Sequence, residues 1–185
     1  PVIGGVGILN KINHKKNHIF KKENNLVLII GKTFGHLYQS IFFEEIYSVI
    51  DGPPPEVNLL NEKNNGKMIL ELIKKNLVNS VHDISAGGLI IALSEMCIGS
   101  NLGIKIEKPK KMHNLFEYFY GEDQGRYVVE IEAKNLNKIQ KLLKDNNIFN
   151  DVIGKVQKEY FELTDEFKIS IKELYNLNNK WYYNY

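Results

Sequence analysis

The sequence predicts an α+β domain built on a mixed β-sheet, and three observations carry that prediction. Strand-like and helix-like segments interleave along the chain, several strands are separated by turns alone, and apolar periodicity survives in every element. The 185 residues suffice for one large domain or two small ones, and 43% of them are hydrophobic, enough for a packed core.

Leu26-Val27-Leu28-Ile29-Ile30 is a continuous apolar run closed by Gly31, the pattern of a strand buried on both faces. Gly31 to Gly35 reads as a turn, and residues 36–49 are aromatic-rich with no clean period, irregular or helical. Asp51-Gly52-Pro53-Pro54-Pro55 breaks the chain, because three prolines remove three donors and fix φ. Leu59, Leu60, Met68, Ile69, Leu72 and Ile73 then sit at helical spacings in a helix ending near Asn76.

Val81 to Ile84 forms a short strand, and Leu89, Leu93, Met96 and Cys97 make one face of a helix closed at Gly99. Ile104 and Ile106 alternate with Lys105 and Glu107, and Tyr127, Val129 and Ile131 alternate with Val128, Glu130 and Glu132, which predicts two half-buried strands. His113 to Phe119 supplies one or two helical turns between them. Leu136, Ile139, Leu142 and Leu143 mark an amphipathic helix. Three strands follow at Val152–Val156, Tyr160–Leu163 and Phe167–Ile171, then a last helix from about Lys172 to Trp181.

Charge and composition remove several classes of function. Lys and Arg number 24 against 22 Asp and Glu, with no basic run long enough for a nucleic-acid arm. The apolar runs are too short to cross a bilayer, and a single cysteine, Cys97, allows neither an internal disulfide nor a thiolate zinc site. Pro1 is not an initiator and the first residues are no signal peptide, so the sequence reads as part of a longer polypeptide. The polar segment from Asn10 to Asn25 reads as a solvated connector.

Two stretches could carry chemistry. His82-Asp83-Ile84-Ser85-Ala86-Gly87-Gly88 lies at a strand-to-helix junction, with Ser85 placed to cap the helix and Gly87 and Gly88 allowing close backbone approach. Such a junction is an anion site or a tight capped turn. It is neither a P-loop, since no Gly-Lys-Ser/Thr follows, nor a catalytic triad, since residues this close cannot form the relay.

Gly121-Glu122-Asp123-Gln124-Gly125-Arg126 leads into the strand at Tyr127, and period two puts Arg126, Gln124 and Glu122 on one side. Arg126 is the only arginine in the chain, which points to a need for a planar, bidentate donor. Two readings stand: a ligand-binding edge, or an internal ion pair between Arg126 and Glu122 or Asp123. His14 and His18, four apart among lysines, make a poor metal pair. The aromatic end, Trp181-Tyr182-Tyr183-Asn184-Tyr185, either stacks on bases or docks on the sheet.

Together these strings resemble the phosphoribosylformylglycinamidine synthase family. The likeness rests on Pro1 to Leu9, on Pro53-Pro54-Pro55-Glu56-Val57-Asn58-Leu59 with Glu62, Asn65 and Gly66, on His82 to Met96, and on Leu115 to Val129, in order and over nearly the whole chain. The resemblance implies the C-terminal domain of the aminoimidazole-ribonucleotide (AIR) synthase-related superfamily, a three-layer α/β/α arrangement with a mixed sheet, loosely ferredoxin-like. Residues 1–25 would then connect to an upstream barrel domain and residues 26–185 would form the domain.

It further implies an ATP- and Mg²⁺-dependent, cytoplasmic carbon–nitrogen ligase of purine biosynthesis. The full enzyme converts formylglycinamide ribonucleotide and glutamine-derived ammonia to the amidine. Its implied partners are the upstream domains, a separate glutaminase subunit and a small bridging subunit, with no nucleic acid and no membrane. No catalytic or metal-binding residue of the family falls in this chain. By internal pseudo-symmetry, Glu122, Asp123 and Gln124, with Arg126, would line a substrate or auxiliary nucleotide site. The family's second Asp in its Ser-Asp-Gly-Gly string is Ala86 here, which removes a carboxylate from the loop carrying His82, Asp83, Ser85, Gly87 and Gly88. The rivals are the same domain of AIR synthase, selenophosphate synthetase or a thiamine-phosphate kinase relative, and a non-catalytic docking or structural-nucleotide domain.

Overall fold

The computed structural model describes residues 4–9, 11–109, 114–180 and 182. His113, Trp181 and Tyr183 to Tyr185, and with them most of the aromatic end, lie outside the described residues, as do Pro1 to Ile3. The chain forms a seven-stranded sheet between two helical layers. In sequence order the elements are β1 (Leu26–Ile30), α1 (Ile41–Tyr47), α2 (Leu59–Lys74), β2 (Ser80–Ile84), α3 (Gly88–Ser100), β3 (Gly103–Ile106), α4 (Leu115–Tyr120), β4 (Arg126–Ile131), α5 (Leu136–Asp145), β5 (Asn150–Gln157), β6 (Tyr160–Leu163), β7 (Phe167–Ser170) and α6 (Ile171–Asn179).

The strand order is β2-β4-β1-β5-β3-β6-β7. Every neighbouring pair is antiparallel except β3 and β6, so the sheet is mixed. The apolar run of β1 lies between β4 and β5, and Val27 to Ile30 are fully buried. Val27 and Ile29 face a core shared with α3, α4 and α6. Leu28 and Ile30 face a second core with α2 and α5. This is the three-layer arrangement.

Helix α2 starts at Asn58, whose side chain accepts from the Asn61 N–H, and turns Met68, Ile69 and Leu72 toward the sheet. Helix α3 is apolar on nearly every side, because it lies between the sheet and both α4 and α6.

Two expectations need correcting. Strand β4 is buried on both faces, not half-buried: Val128 and Glu130 are as inaccessible as Val129 and Ile131. Ser85 is not the cap of α3. That position falls to Gly87 in the left-handed region (φ +78°), while the Ser85 carbonyl accepts the Gly88 N–H in a tight turn. Residues 36–49 resolve into the short helix α1, capped by Ser40 and burying only Phe42, too small an apolar face to leave a periodic signal.

Candidate functional site

Arg126 opens β4 and is 1% exposed. Its guanidinium is spent on the chain itself. Nε donates to the Asp123 carbonyl (3.1 Å), Nη1 to Thr33 Oγ1 (3.0 Å) and Nη2 to the Gly121 carbonyl, and Nη1 lies 3.7 Å from an Asp123 carboxylate oxygen. Burial lowers its pKa, and the charges of Asp123, Tyr118 and Glu122 act the other way. A lysine offers one point of donation and could not span three acceptors in these directions. The lone arginine is an internal brace.

The two acidic residues of the loop are equally committed. One Asp123 oxygen accepts from the N–H groups of Phe34 and Gly35 (2.9 and 3.0 Å) and the other from His36 (3.2 Å). Three successive N–H groups aimed at one point form an anion-binding nest, and Asp123 fills it. Glu122 Oε1 accepts from Gly87 N–H at the start of α3 and from Ile41 N–H at the start of α1, both at 2.8 Å. The positive end of α3 thus meets a carboxylate from the chain itself. The two stretches singled out in the sequence meet through this bond.

Gly88 explains why the junction needs glycine. Its φ is +73°, and a Cβ there would lie 2.7 Å from the Phe119 carbonyl oxygen. The close approach is to backbone, and a side chain has no room. His82 and Asp83 lie on the edge strand β2, away from this junction, with His82 Nε2 2.8 Å from Glu95 and Nδ1 3.4 Å from Asp83.

Beside the loop lies a cleft of about 730 Å³. The turn from Gly31 to Tyr38 and the first turns of α2 form its walls, and Asp123 and Gln124 line it too. Gly31 (φ +98°) brings the end of β1 against residue 125, where a Cβ would lie 2.8 Å from the Gly125 carbonyl oxygen. Asn65 donates to that same carbonyl at 2.8 Å, fixing α2 to the loop. Of the motif Glu122 to Arg126, Gln124 alone is exposed. The lining carries aromatic side chains (Phe34, Tyr38, Phe149), carboxylates (Glu56, Glu62, Glu117) and several amides, and among the described residues Lys32 is its single lysine.

Sequence reasoning missed two features. Phe34 and His36 belong to the cleft through the turn that Asp123 organises, a long-range contact with no local signature. Glu130 stood in the presumed solvent-facing row of β4 and is 0% exposed; the signal was a carboxylate set between Val129 and Ile131 in a strand next to the all-apolar β1.

A family model for the C-terminal domain of AIR synthase related proteins matches residues 22–166. The chain is 44% identical over its whole length to phosphoribosylformylglycinamidine synthase subunit PurL of Pelagibacter ubique and 35% identical to the Sinorhizobium fredii protein of the same name. It spans about a quarter of the length of each, 25%. Among solved structures, Thermotoga maritima PurL complexed with FGAR superposes with a TM-score of 0.76 over 89% of this chain and 30% of that one, at 19% identity. A structure of PurLQS from the same organism superposes at 0.68, covering 89% of this chain and 28% of that one, again at 19% identity.

Proposed function

The chain belongs to the family of AIR synthase related protein C-terminal domains, and from that premise we propose that it serves as this domain of a phosphoribosylformylglycinamidine synthase. The intact enzyme would use ATP, Mg²⁺ and glutamine-derived ammonia to convert formylglycinamide ribonucleotide to the amidine. The alignment with the Pelagibacter protein, unbroken across all of this chain, is the observation that carries the reading.

The chain's own part in that reaction is positional. Its two ready-made anion positions, the nest at residues 34–36 and the start of α3, hold Asp123 and Glu122. Each is already occupied by a carboxylate of the chain itself, and the carboxylates of the cleft would repel a phosphate. These residues do not fit an ATP triphosphate, so the phosphoryl chemistry belongs to the rest of the polypeptide. Gln124 is the one member of its motif open to a ligand, and an auxiliary nucleotide in the cleft would meet it there.

The surface supports a docking role as well. Ile46, Tyr47, Ile50, Leu59, Leu60 and Phe116 are all more than half exposed. Apolar side chains of this size, concentrated in residues 46–60 and α4, suit a face covered by another folded unit. In this reading the remaining part of the same polypeptide covers it, with the glutaminase and bridging subunits bound to the assembled enzyme.

The purified chain, given formylglycinamide ribonucleotide, ATP, Mg²⁺ and ammonia, is expected to form no amidine; turnover by the chain alone overturns the positional reading. Calorimetry with ADP and Mg²⁺ tests the cleft. Binding that weakens in Gln124→Ala supports the auxiliary site, and binding indifferent to that change sinks it.

A further inference from the structure

Glu130 sits mid-strand in β4, fully buried, and among the described residues no lysine or arginine pairs with it. Four donors converge on its carboxylate instead: the backbone N–H groups of Lys21 (2.8 Å) and Lys22 (3.0 Å), Asn25 Nδ2 (2.7 Å) and Ser80 Oγ (2.9 Å). Three of these come from the segment that precedes β1. A buried carboxylate satisfied this fully is a built receptor for that segment's backbone.

The rest of the segment follows the same path. The Asn17 carbonyl accepts the Val81 N–H (3.1 Å), extending hydrogen bonding past the edge of β2. Phe20 inserts into the α3-side core, and its N–H donates to the Met96 carbonyl. Ile19 packs against Gly99, where even a Cβ would lie 2.4 Å from its Cγ2. Lys16 Nζ donates to Asn76 Oδ1 (2.7 Å). Asn24 N–H donates to the Val156 carbonyl and Val156 N–H to the Asn25 carbonyl (both 2.9 Å), so residues 16–25 lie across β2, β4, α3 and β5, with one apolar anchor, Phe20, and one carboxylate anchor, Glu130. The side chains of Asn17, His18, Lys21, Lys22 and Asn24 remain exposed.

We propose that residues 16–25 form a strap that the Glu130 carboxylate latches to the sheet, and that this strap lifts as one unit while the strands beneath it stay folded. Half of its residues are exposed and its interior anchors are Phe20, Asn25 and the Glu130 carboxylate, whereas the β1–β4 ladder is buried on both faces along its length, so the strap opens at lower cost than that ladder. The latch fixes where the chain before residue 16 leaves the domain. Release of ten residues frees that preceding chain by up to roughly 33 Å, at about 3.3 Å per extended residue. The inference stands on this geometry and does not need the functional reading above.

Native-state hydrogen exchange on the chain tests it. The Lys21, Lys22 and Val81 amides should share one opening, populated at least about tenfold more than the opening that exposes Val128 and Val129. Glu130→Gln puts an NH₂ among three nitrogen donors that cannot accept. It should raise the strap opening a further tenfold or so, and speed tryptic cleavage after Lys21 and Lys22, with Val128 and Val129 unchanged. Should that variant not fold, Ser80→Ala removes one donor only, and several-fold faster exchange at Lys21 and Lys22 is expected. Exchange of Lys21 and Lys22 only together with the ladder, or out of step with Val81, overturns the proposal. So does a folded Glu130→Gln that leaves their rates unchanged.

Discussion

The loop from Gly121 to Arg126 and the arm from Phe34 to Glu62 border the same cleft, yet they are organised in opposite ways. In the loop nearly every polar group is committed: Arg126 to Gly121, Asp123 and Thr33, Asp123 to three backbone N–H groups, Glu122 to two. The arm leaves large side chains open to solvent, Phe34 at 74% and Tyr38 at 52%. A motif dense in charge and glycine holds the structure together, and an irregular aromatic segment supplies the free surface. Chemistry-bearing residue types do not by themselves mark where a molecule meets its ligands.

The largest test of this contrast is Arg126→Ala. It leaves the buried Asp123 carboxylate without its cation and two carbonyls without a donor, and should cost about 3–5 kcal/mol in urea denaturation. A cost near zero would place the loop in the same class as the arm.

Next comes alkaline pH. Tyr118 packs beside this loop, and burial, helped by the Asp151 charge and opposed by Arg126, pushes its pKa up to about 12. An unfolded tyrosine loses its proton near its ordinary value of 10.0, while the folded one keeps it to about 12. Between those values the unfolded chain binds fewer protons, so stability falls as pH rises and levels off above them. The loss should total about 2–3 kcal/mol, at about 1.4 kcal/mol per pH unit. Tyr118→Phe should remove this contribution, and an unchanged alkaline limb in that variant would show that the burial carries no such linkage.

The smallest effect sharpens the contrast from the other side. Phe34→Ala in the arm should change the stability of the chain by less than about 0.5 kcal/mol by the same denaturation assay. A loss of 2 kcal/mol or more would mean that the arm is braced like the loop.

How much of this was legible can be read from particular residues. The run from Leu26 to Ile30 announced a strand buried on both faces, and period two separated Tyr127 from Val128, which the two cores place on opposite faces of β4. The solitary arginine correctly signalled a need for a planar donor, and left open whether ligand or chain would use it. Ser85 was misread because the α3 cap depends on Glu122, 35 residues further on. Glu130 was misread because alternation names two faces of a strand without saying that both are covered.

The sequence by itself determined the elements, the α+β class and the resemblance to a family, since propensity, periodicity and motif order are local properties written residue by residue. Tertiary structure alone decided what the charged groups do. Whether a carboxylate faces water, a ligand or a row of backbone N–H groups depends on which distant segment the sheet brings beside it. That partner lies 35 residues away for Glu122 and more than 100 away for Glu130.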